Sequence, residues 1–420
     1  MTCALRQSIV ALLCFNRLKM IGNIAFLCAV AGLSTSTIYL GLVVIAALRF
    51  RSSKRKTGRA DGSLPPVTVL KPLHGLEPLL EACLESFFRQ DYPAYELIFG
   101  ARTESDPALA IVKSLSKKYP RIPTRIVLSG EPAYPSAKVF LMEKMEPLAS
   151  YPTFVISDSD VRVTPSYLRQ VVQPLMDENV GMVTCLYRGV PTGGFWSLLE
   201  ALGMSVEMSS GVLVANLLEG MKFALGPTMV IRKDVLDKWG GFRVLAEHHD
   251  DDFVMGSLTH ASGKKVVLSH HVIDHVVLNR SARLSLLHQL RWMRNARFSR
   301  RMGHVGTGLT FAMPFGLLGL AAGWILGNWT LGLGLLGLAY ANRVVQALVV
   351  GWGVTRDRSS ALFCWLYPVR DMEGFVLWCG SFFGSEIVWR GERYRLVSGG
   401  RIVRKDAADA TDSRGSGCSA

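Results

Sequence analysis

Residues 61–290 of this chain hold no GxGxxG glycine signature, and no GxxxxGK[ST] run occurs anywhere in its 420 residues. Neither a dinucleotide-binding unit nor a Walker-type ATPase is supported, although these are the commoner nucleotide-binding versions of an α/β domain. Cysteine is thinly used. Its eight positions (Cys3, Cys14, Cys28, Cys83, Cys185, Cys364, Cys379 and Cys418) form no CxxC pair or metal-finger spacing, which argues against a disulfide framework and for a reduced compartment. Acidic residues are the minority, 33 against 47 lysines and arginines, for a formal net charge of +14. No nucleic-acid module accompanies that charge, so nucleic acid is not an expected partner.

What the chain does have is apolar sequence in long runs: 49% of residues are hydrophobic and the mean hydropathy is +0.26. Basic residues gather beside these runs. One cluster is Arg49, Arg51, Lys54, Arg55, Lys56 and Arg59, a second is Arg291, Arg294, Arg297, Arg300 and Arg301, and a third is Arg390, Arg393, Arg395, Arg401, Arg404 and Lys405. Such placement suits anionic lipid headgroups. Ile24 to Leu48 is uncharged and about long enough to cross a hydrocarbon core of roughly 30 Å. The basic run that follows places the rest of the chain in the cytoplasm by the positive-inside rule. A signal peptide built on Ser8 to Phe15 competes for the first residues, but no small-residue cleavage site follows, and Met20 is an alternative start.

A second apolar block, Leu309 to Trp352, is broken near Asn328 and reads as a helical hairpin. Gly319, Gly323 and Gly327 are spaced by four, which lets helix backbones approach closely. Met372 to Trp389 carries Glu373 and Glu386 and is expected to be re-entrant or interfacial.

Between the apolar blocks, strand-like and helix-like runs alternate. Val67 to Leu70, Glu96 to Ala101, Arg125 to Leu128 and Thr153 to Ser157 read as strands, with helices over Glu77 to Gln90, from Pro107, and over Ala137 to Leu148. This order predicts an α/β domain with a mostly parallel sheet, whose ligands bind at the carboxyl ends of strands. Gly181 to Tyr187 and Thr228 to Arg232 continue as strands. The apolar stretch Phe195 to Phe223 contains Glu200, Glu207 and Glu219, which fits interfacial helices or ordinary core helices equally.

Three motifs carry chemistry. Asp158-Ser159-Asp160 follows the fourth strand directly, and side chains two apart on an extended backbone point the same way. Paired carboxylates suit Mg²⁺ or Mn²⁺ held against a diphosphate, while the plainer account is a solvated turn. His248-His249-Asp250-Asp251-Asp252 precedes an apolar run. Helix capping explains three carboxylates at a helix start; as chemistry, like-charge neighbours would lift Asp252 above a carboxylate's usual value of about 3.9 and make it a general base. The adjacent histidines read as surface residues. His288-Gln289-Leu290-Arg291-Trp292 offers a guanidinium for phosphate oxygens beside a flat indole wall, or else an interfacial helix whose arginines reach headgroups.

Taken in order, D-x-D, an acidic pair and R-x-x-R-W-like residues before transmembrane helices resemble the family 2 and family 21 membrane glycosyltransferases. The runs Val67 to Gly75, Asp106-Pro107-Ala108, Asp158 to Val163, Arg232 to Leu236, Asp251-Asp252-Phe253 and Trp389 to Leu396 resemble ceramide glucosyltransferases. Thr184 to Pro191 and His288-x-x-Arg291-Trp292 are most similar to the bacterial hopanoid biosynthesis-associated glycosyltransferase. The resemblance implies a GT-A type fold and inverting transfer from a UDP-sugar to a membrane lipid hydroxyl. The implied pair is UDP-N-acetylglucosamine and bacteriohopanetetrol, with UDP-glucose and ceramide as the alternative. Asp160, with Asp158, would hold the cation, Asp158 near the donor ribose or phosphate; Asp252 would be the base, and Arg291 and Trp292 the diphosphate clamp. Lys138 would contact the donor, His288 stands where ceramide enzymes carry Gln or Arg, and Thr103 occupies the family's first aspartate position, a nucleotide-base contact, with Glu104 and Asp106 close by.

The layout expected is an extension (1–23), a transmembrane helix (24–48), a basic linker (49–64) and a cytoplasmic GT-A domain (65–303), split into a donor half (65–175) and an acceptor half (176–303). A transmembrane hairpin (309–353), a third membrane-associated segment (360–390) and a basic tail (391–420) follow, on a multi-pass protein of the inner membrane. A processive polysaccharide synthase shares the motifs but normally needs more spans after R-W. A transporter or anchor protein would not need the α/β domain.

Overall fold

A computed structural model describes residues 2–53, 64–389 and 392–404. Most of the expected basic linker (54–63), Arg390 and Gly391 of the tail motif, and residues 405–420 lie outside the described residues.

The centre is an eight-stranded sheet. Its strands are β1 (Val67–Pro72), β2 (Tyr95–Ala101), β3 (Thr124–Leu128), β4 (Thr153–Ser157), β5 (Val161–Arg162), β6 (Val180–Pro191), β7 (Thr228–Arg232) and β8 (Lys265–Val277), in the spatial order β3-β2-β1-β4-β7-β6-β8-β5. The first four are parallel, β7 runs against its neighbours β4 and β6, and β6 and β8 are again parallel. Strands β1, β2 and β4 are buried along their whole length, as continuous apolar runs covered on both faces should be. Crossover helices supply that cover. Leu80–Phe88 buries Leu80, Cys83, Leu84, Phe87 and Phe88, a stripe at i, i+3, i+4, i+7 and i+8 that faces the sheet. Every parallel strand therefore delivers its carboxyl end to one edge, and β4 delivers Asp158 there.

Three helical stretches are long and apolar enough to cross a bilayer: Phe15–Ser53, Phe195–Glu219 and Trp329–Trp352. Their surroundings separate them. The apolar window of the middle stretch is 72% buried inside the protein, against 28% and 33% for the others. Phe195–Glu219 is thus packed as a core element. It lies so close to β6 that a side chain at Gly189 would come within 2.5 Å of the Ala201 Cα. The N-terminal helix runs unbroken over Thr2–Ser53, longer than the apolar core of its sequence.

The hairpin forms from Met313–Ile325 and Trp329–Gln346, whose second helix continues to Trp352. Gly327 makes the turn in the left-handed region (φ 74°), and Asn328 caps the second helix by accepting from the Leu331 amide. A Cβ at Gly323 would sit 2.9 Å from the Gly332 Cα, so the helices touch backbone to backbone, the close approach that the four-residue spacing allows. The region expected as a third membrane-associated segment contains helix Tyr367–Ser381 and strand β9 (Glu386–Trp389), which pairs with β10 (Glu392–Val397) and β11 (Arg401–Arg404) in a small antiparallel sheet.

One buried ion pair fastens the hairpin to that helix. Arg343 Nη1 lies 3.1 Å from Asp371 Oδ1, with side chains 2% and 3% exposed. Asp371 Oδ2 also accepts from the Ala312 and Met313 amides at 3.0 and 2.8 Å, at the start of the first hairpin helix. Asp371→Ala strands a buried guanidinium and two amides, and a loss of about 3–5 kcal/mol is expected. Thermal unfolding of the detergent-purified variant checks this; an unchanged midpoint contradicts it.

Candidate active site

The edge at the end of β4 holds a closed electrostatic cluster. Lys138, from the helix Ala137–Met145, places its Nζ 2.8 Å from Asp158 Oδ1 and 3.6 Å from Asp251 Oδ2, with its side chain 10% exposed. It is the cation shared by the D-x-D turn and the acidic helix start. Burial alone would lower its pKa, but the two aspartates, Asp158 first, outweigh that and raise it. For Asp158 burial pushes upward and Lys138 pulls down harder, leaving the carboxyl below its ordinary value.

A second lysine lies beneath. Lys71, the penultimate residue of β1, is fully buried, donates to the Asp158 carbonyl, and sits 3.9 Å from the Phe87 ring centroid. Burial lowers it to about 8. Ser159 turns away and donates to Glu77 Oε2 at 2.7 Å. Asp160 Oδ2 lies 3.6 Å from His275 Nε2, while its buried Oδ1 has no hydrogen-bond partner.

Asp251 and Asp252 open the helix Asp251–Ala261. Asp252 accepts from the Gly226 amide through Oδ2 at 2.6 Å and from the Phe253 amide through Oδ1 at 2.8 Å. Burial, then the neighbouring Asp251 carboxylate, raise it to about 7. Asp250 is raised to about 6, chiefly by burial. Within the cluster Asp158 is held below its ordinary value and Asp252 is raised to about 7, a division that general acid–base chemistry uses.

The R-W motif lies on the helix Ala282–Ser299. Arg291 Nη1 meets His249 Nε2 at 3.0 Å, joining this helix to the acidic loop. Burial and then the Arg291 charge depress His249 to about 3, so the imidazole is neutral and accepts from the guanidinium. His249 is therefore a structural partner of Arg291 and not a surface residue. Trp292 packs half-buried against the core, its ring 4.4 Å from that of His288. His288 itself turns to Glu200, Nδ1 to Oε1 at 2.8 Å, where Ser285 and Asn279 also donate. Thr103 is exposed just beyond β2 and shares a 3.0 Å hydrogen bond with Ser105; Asp106 accepts from the amides of Gly75 and Ala108, fastening the loop after β1 to the next helix. The structure thus brings Lys138, Asp158, Asp251 and Asp252 together, with Asp160 on the same turn and Arg291 behind the acidic loop, while Thr103 and His288 stand apart.

His275 and Lys71 are the polar groups that sequence reasoning passed over. Period-two alternation through Val272, Ile273, Asp274 and His275 marks β8, but a bulge opposite Cys185 and Leu186 interrupts it.

Divalent-cation fit can be judged from the donors. Among the described residues no group of three or more His, Cys, Asp or Glu converges on one point. The partnerless buried Asp160 Oδ1 with the adjacent imidazole still fits a small hard cation, since Mg²⁺ is bound by one or two carboxylates with water and substrate phosphate completing its shell.

Ceramide glucosyltransferase 1 of Caenorhabditis elegans is 28% identical over 355 residues, covering 81% of this chain and 74% of the relative. Ceramide glucosyltransferase of Komagataella phaffii is 36% identical over 127 residues, 29% of this chain and 25% of that protein. Among solved structures, a mannosyltransferase from Pyrobaculum calidifontis in complex with GDP-mannose and Mn²⁺ aligns over 83% of this chain and 99% of its own, at 16% identity and a TM-score of 0.45. The profile of Glycosyl transferase family 21 matches residues 31–402, and the chain, a glycosyltransferase of GT-A type, belongs to that family.

Proposed function

We propose that the protein transfers a sugar from a UDP-sugar to the hydroxyl of a membrane lipid with inversion, at the cytoplasmic face of the inner membrane. The observation that carries this reading is the single buried Lys138 bridging Asp158 to the acidic pair that contains a carboxylate raised to about 7. Asp252 accepts the acceptor hydroxyl proton as that oxygen attacks the anomeric carbon and the UDP leaves from the opposite face. Its two amide hydrogen bonds fix the carboxylate's orientation before the acceptor arrives. Asp160 and, more weakly, Asp158 would hold Mg²⁺ or Mn²⁺, which when bound would supply positive charge against the diphosphate. Arg291, aimed by His249, and Trp292 line the diphosphate's far side, and Lys138 contacts the donor. Thr103, with the neighbouring Asp106 loop, contacts the nucleotide base, as the family resemblance implies.

For the acceptor, an apolar groove of about 300 Å³ is lined by Phe195, Trp196, Leu199, Leu286 and Val376, among others. One of its walls is the helix that carries Arg291 and Trp292. Bacteriohopanetetrol with UDP-N-acetylglucosamine is the pair we assign, on the Thr184 to Pro191 and His288-x-x-Arg291-Trp292 runs. Ceramide with UDP-glucose is the second reading, favoured by the names of the curated relatives. Incubating membranes that contain the protein with each UDP-sugar and each lipid, then weighing the lipid products, decides between them. A polymeric product, or none with any donor, overturns the transfer reading.

The metal assignment has its own measurement. Asp160→Asn is expected to weaken Mn²⁺ binding at least about tenfold by electron paramagnetic resonance of the free ion. Unchanged binding removes Asp160 as the ligand.

A further inference from the structure

Strand β8 carries the catalytic turn's neighbour His275 on one face and, by alternation, Asp274 on the other. On that second face Asp274 is bidentate in effect: Oδ2 takes Arg162 Nη2 at 2.8 Å and Oδ1 takes Arg188 Nε at 2.6 Å. These two arginines floor a cleft of about 650 Å³ whose other walls are Arg51, Trp352, Arg356 and Arg358. Five arginines thus converge against two aspartates, Asp274 and Asp357. Asp357 is engaged, capping the next helix by accepting from the Ser359 and Ser360 amides. Arg51, Arg356 and Arg358 are exposed and make no ion pair among the described residues. A second cleft of about 830 Å³ adjoins it through Arg51, Arg188 and Arg356.

The turn that presents Arg356 is built for that purpose. Arg356 is one of two non-glycine residues in the left-handed region among the described residues (φ 54°), a conformation kept only where the surroundings impose it. Here Arg188 Nη1 donates to the Thr355 and Arg356 carbonyls, the Asp357 amide donates to Gly351, and the buried Thr355 hydroxyl donates to Gly351 as well. Its place in the fold says what fills the cleft. Arg51 is in the last turn of the first apolar helix and Trp352 ends the last one, so the arginines sit where two membrane-competent helices stop, with an exposed indole at the rim. The acceptor proposed above is an uncharged hydroxyl lipid, and His275, which reaches Asp160, lies on the opposite side of β8 from the Asp274 that holds Arg162 and Arg188.

We propose that this cleft binds the phosphate of an anionic phospholipid headgroup, tying the transferase domain to the bilayer at a site separate from donor and acceptor. The proposal rests on the membrane reading of the two flanking helices, not on the identity of the sugar. Its test uses the full-length protein in detergent, with short-chain phosphatidylglycerol and phosphatidylcholine as probes and native mass spectrometry as the readout. Wild type is expected to retain phosphatidylglycerol at least about tenfold better than phosphatidylcholine, as charge-assisted arginine–phosphate pairing implies. The triple variant Arg51→Gln, Arg356→Asn, Arg358→Gln should lose that preference and keep its UDP affinity; Asn is chosen because it tolerates the left-handed backbone. A second triple, Lys113→Gln, Lys117→Gln, Arg121→Gln, removes equal charge from the helix Ala108–Lys118 and the turn after it, and should leave the preference intact. Equal loss in both variants, no preference in wild type, or displacement of the lipid by millimolar inorganic phosphate each overturns the proposal. Specific lipid retention without any sugar transfer leaves it standing while removing the proposed activity.

Discussion

Asp252→Asn is expected to lower sugar transfer by about 10² to 10⁴, the range a positioned base contributes, while the UDP dissociation constant stays within about twofold. Asn keeps the shape, but its single carbonyl oxygen can accept from only one of the two amides, Gly226 or Phe253, that Asp252 takes with separate oxygens, so the pH profile is what isolates the proton-accepting role. The pH profile adds a sign. A carboxyl raised to about 7 is protonated below that pH and idle as a base, so wild-type kcat should climb as pH rises through about 7 and then level. In the variant that limb disappears. Stability moves the other way. Between roughly pH 4 and 7 the folded carboxyl holds a proton that the unfolded chain has released, so the contribution of Asp252 to stability falls as pH rises across that window. The difference in melting temperature between wild type and Asp252→Asn should therefore grow toward alkaline pH in favour of the variant. A rate that survives the substitution removes Asp252 as the base; a pH-independent melting difference removes the buried-acid account of its shift.

Much of this site was legible from residue order alone, because the signals were local. The five-residue run Thr153 to Ser157 before Asp158-Ser159-Asp160 can be a buried strand that delivers the acidic turn at its carboxyl end, and β4 is that strand. The Asp251 helix start and the R-W helix were equally local. What escaped were contacts between distant segments. Nothing near Lys71 marks it as lying under a turn 87 residues away, and in the sequence it only follows the apolar run Val67 to Leu70. His249 has no third spaced ligand partner in the sequence and so reads as a surface residue; its contact with Arg291, 42 residues later, is visible only in the fold. The outer half of the sheet suffered for a different reason. Strand β8 alternates as a strand should, but the His270-His271 pair falls at a bulge, and the broken period hides both His275 and the Asp274 that anchors the arginine cleft. Likewise Phe195–Glu219 has the length of a span and the burial of a core helix, a distinction that composition does not make.

Lys138→Met is the substitution with the largest expected effect on both stability and binding, because one ammonium serves two acidic elements. Removing one partner of a buried pair costs about 3–5 kcal/mol, and here the loss leaves Asp158 and Asp251 facing each other across the space the lysine filled. They cannot both remain ionised in that environment, so at least one takes up a proton and its pKa rises. The penalty should accordingly depend on pH. At pH 8, where deprotonated carboxylates are forced together, the variant should melt far below wild type; near pH 5, where protonation relieves the repulsion, much of the gap should close. UDP-sugar affinity should fall about tenfold or more at pH 8, since the donor then meets an uncompensated acidic turn. Lys138→Arg restores a charge and should recover stability in part, though its planar fork cannot reproduce a point charge shared between two carboxylates. A melting deficit that is the same at pH 5 and pH 8 would mean that Lys138 acts by packing alone. The electrostatic link between the D-x-D turn and the acidic helix would then have to be sought in Lys71, whose ammonium approaches Asp158 only through its backbone carbonyl.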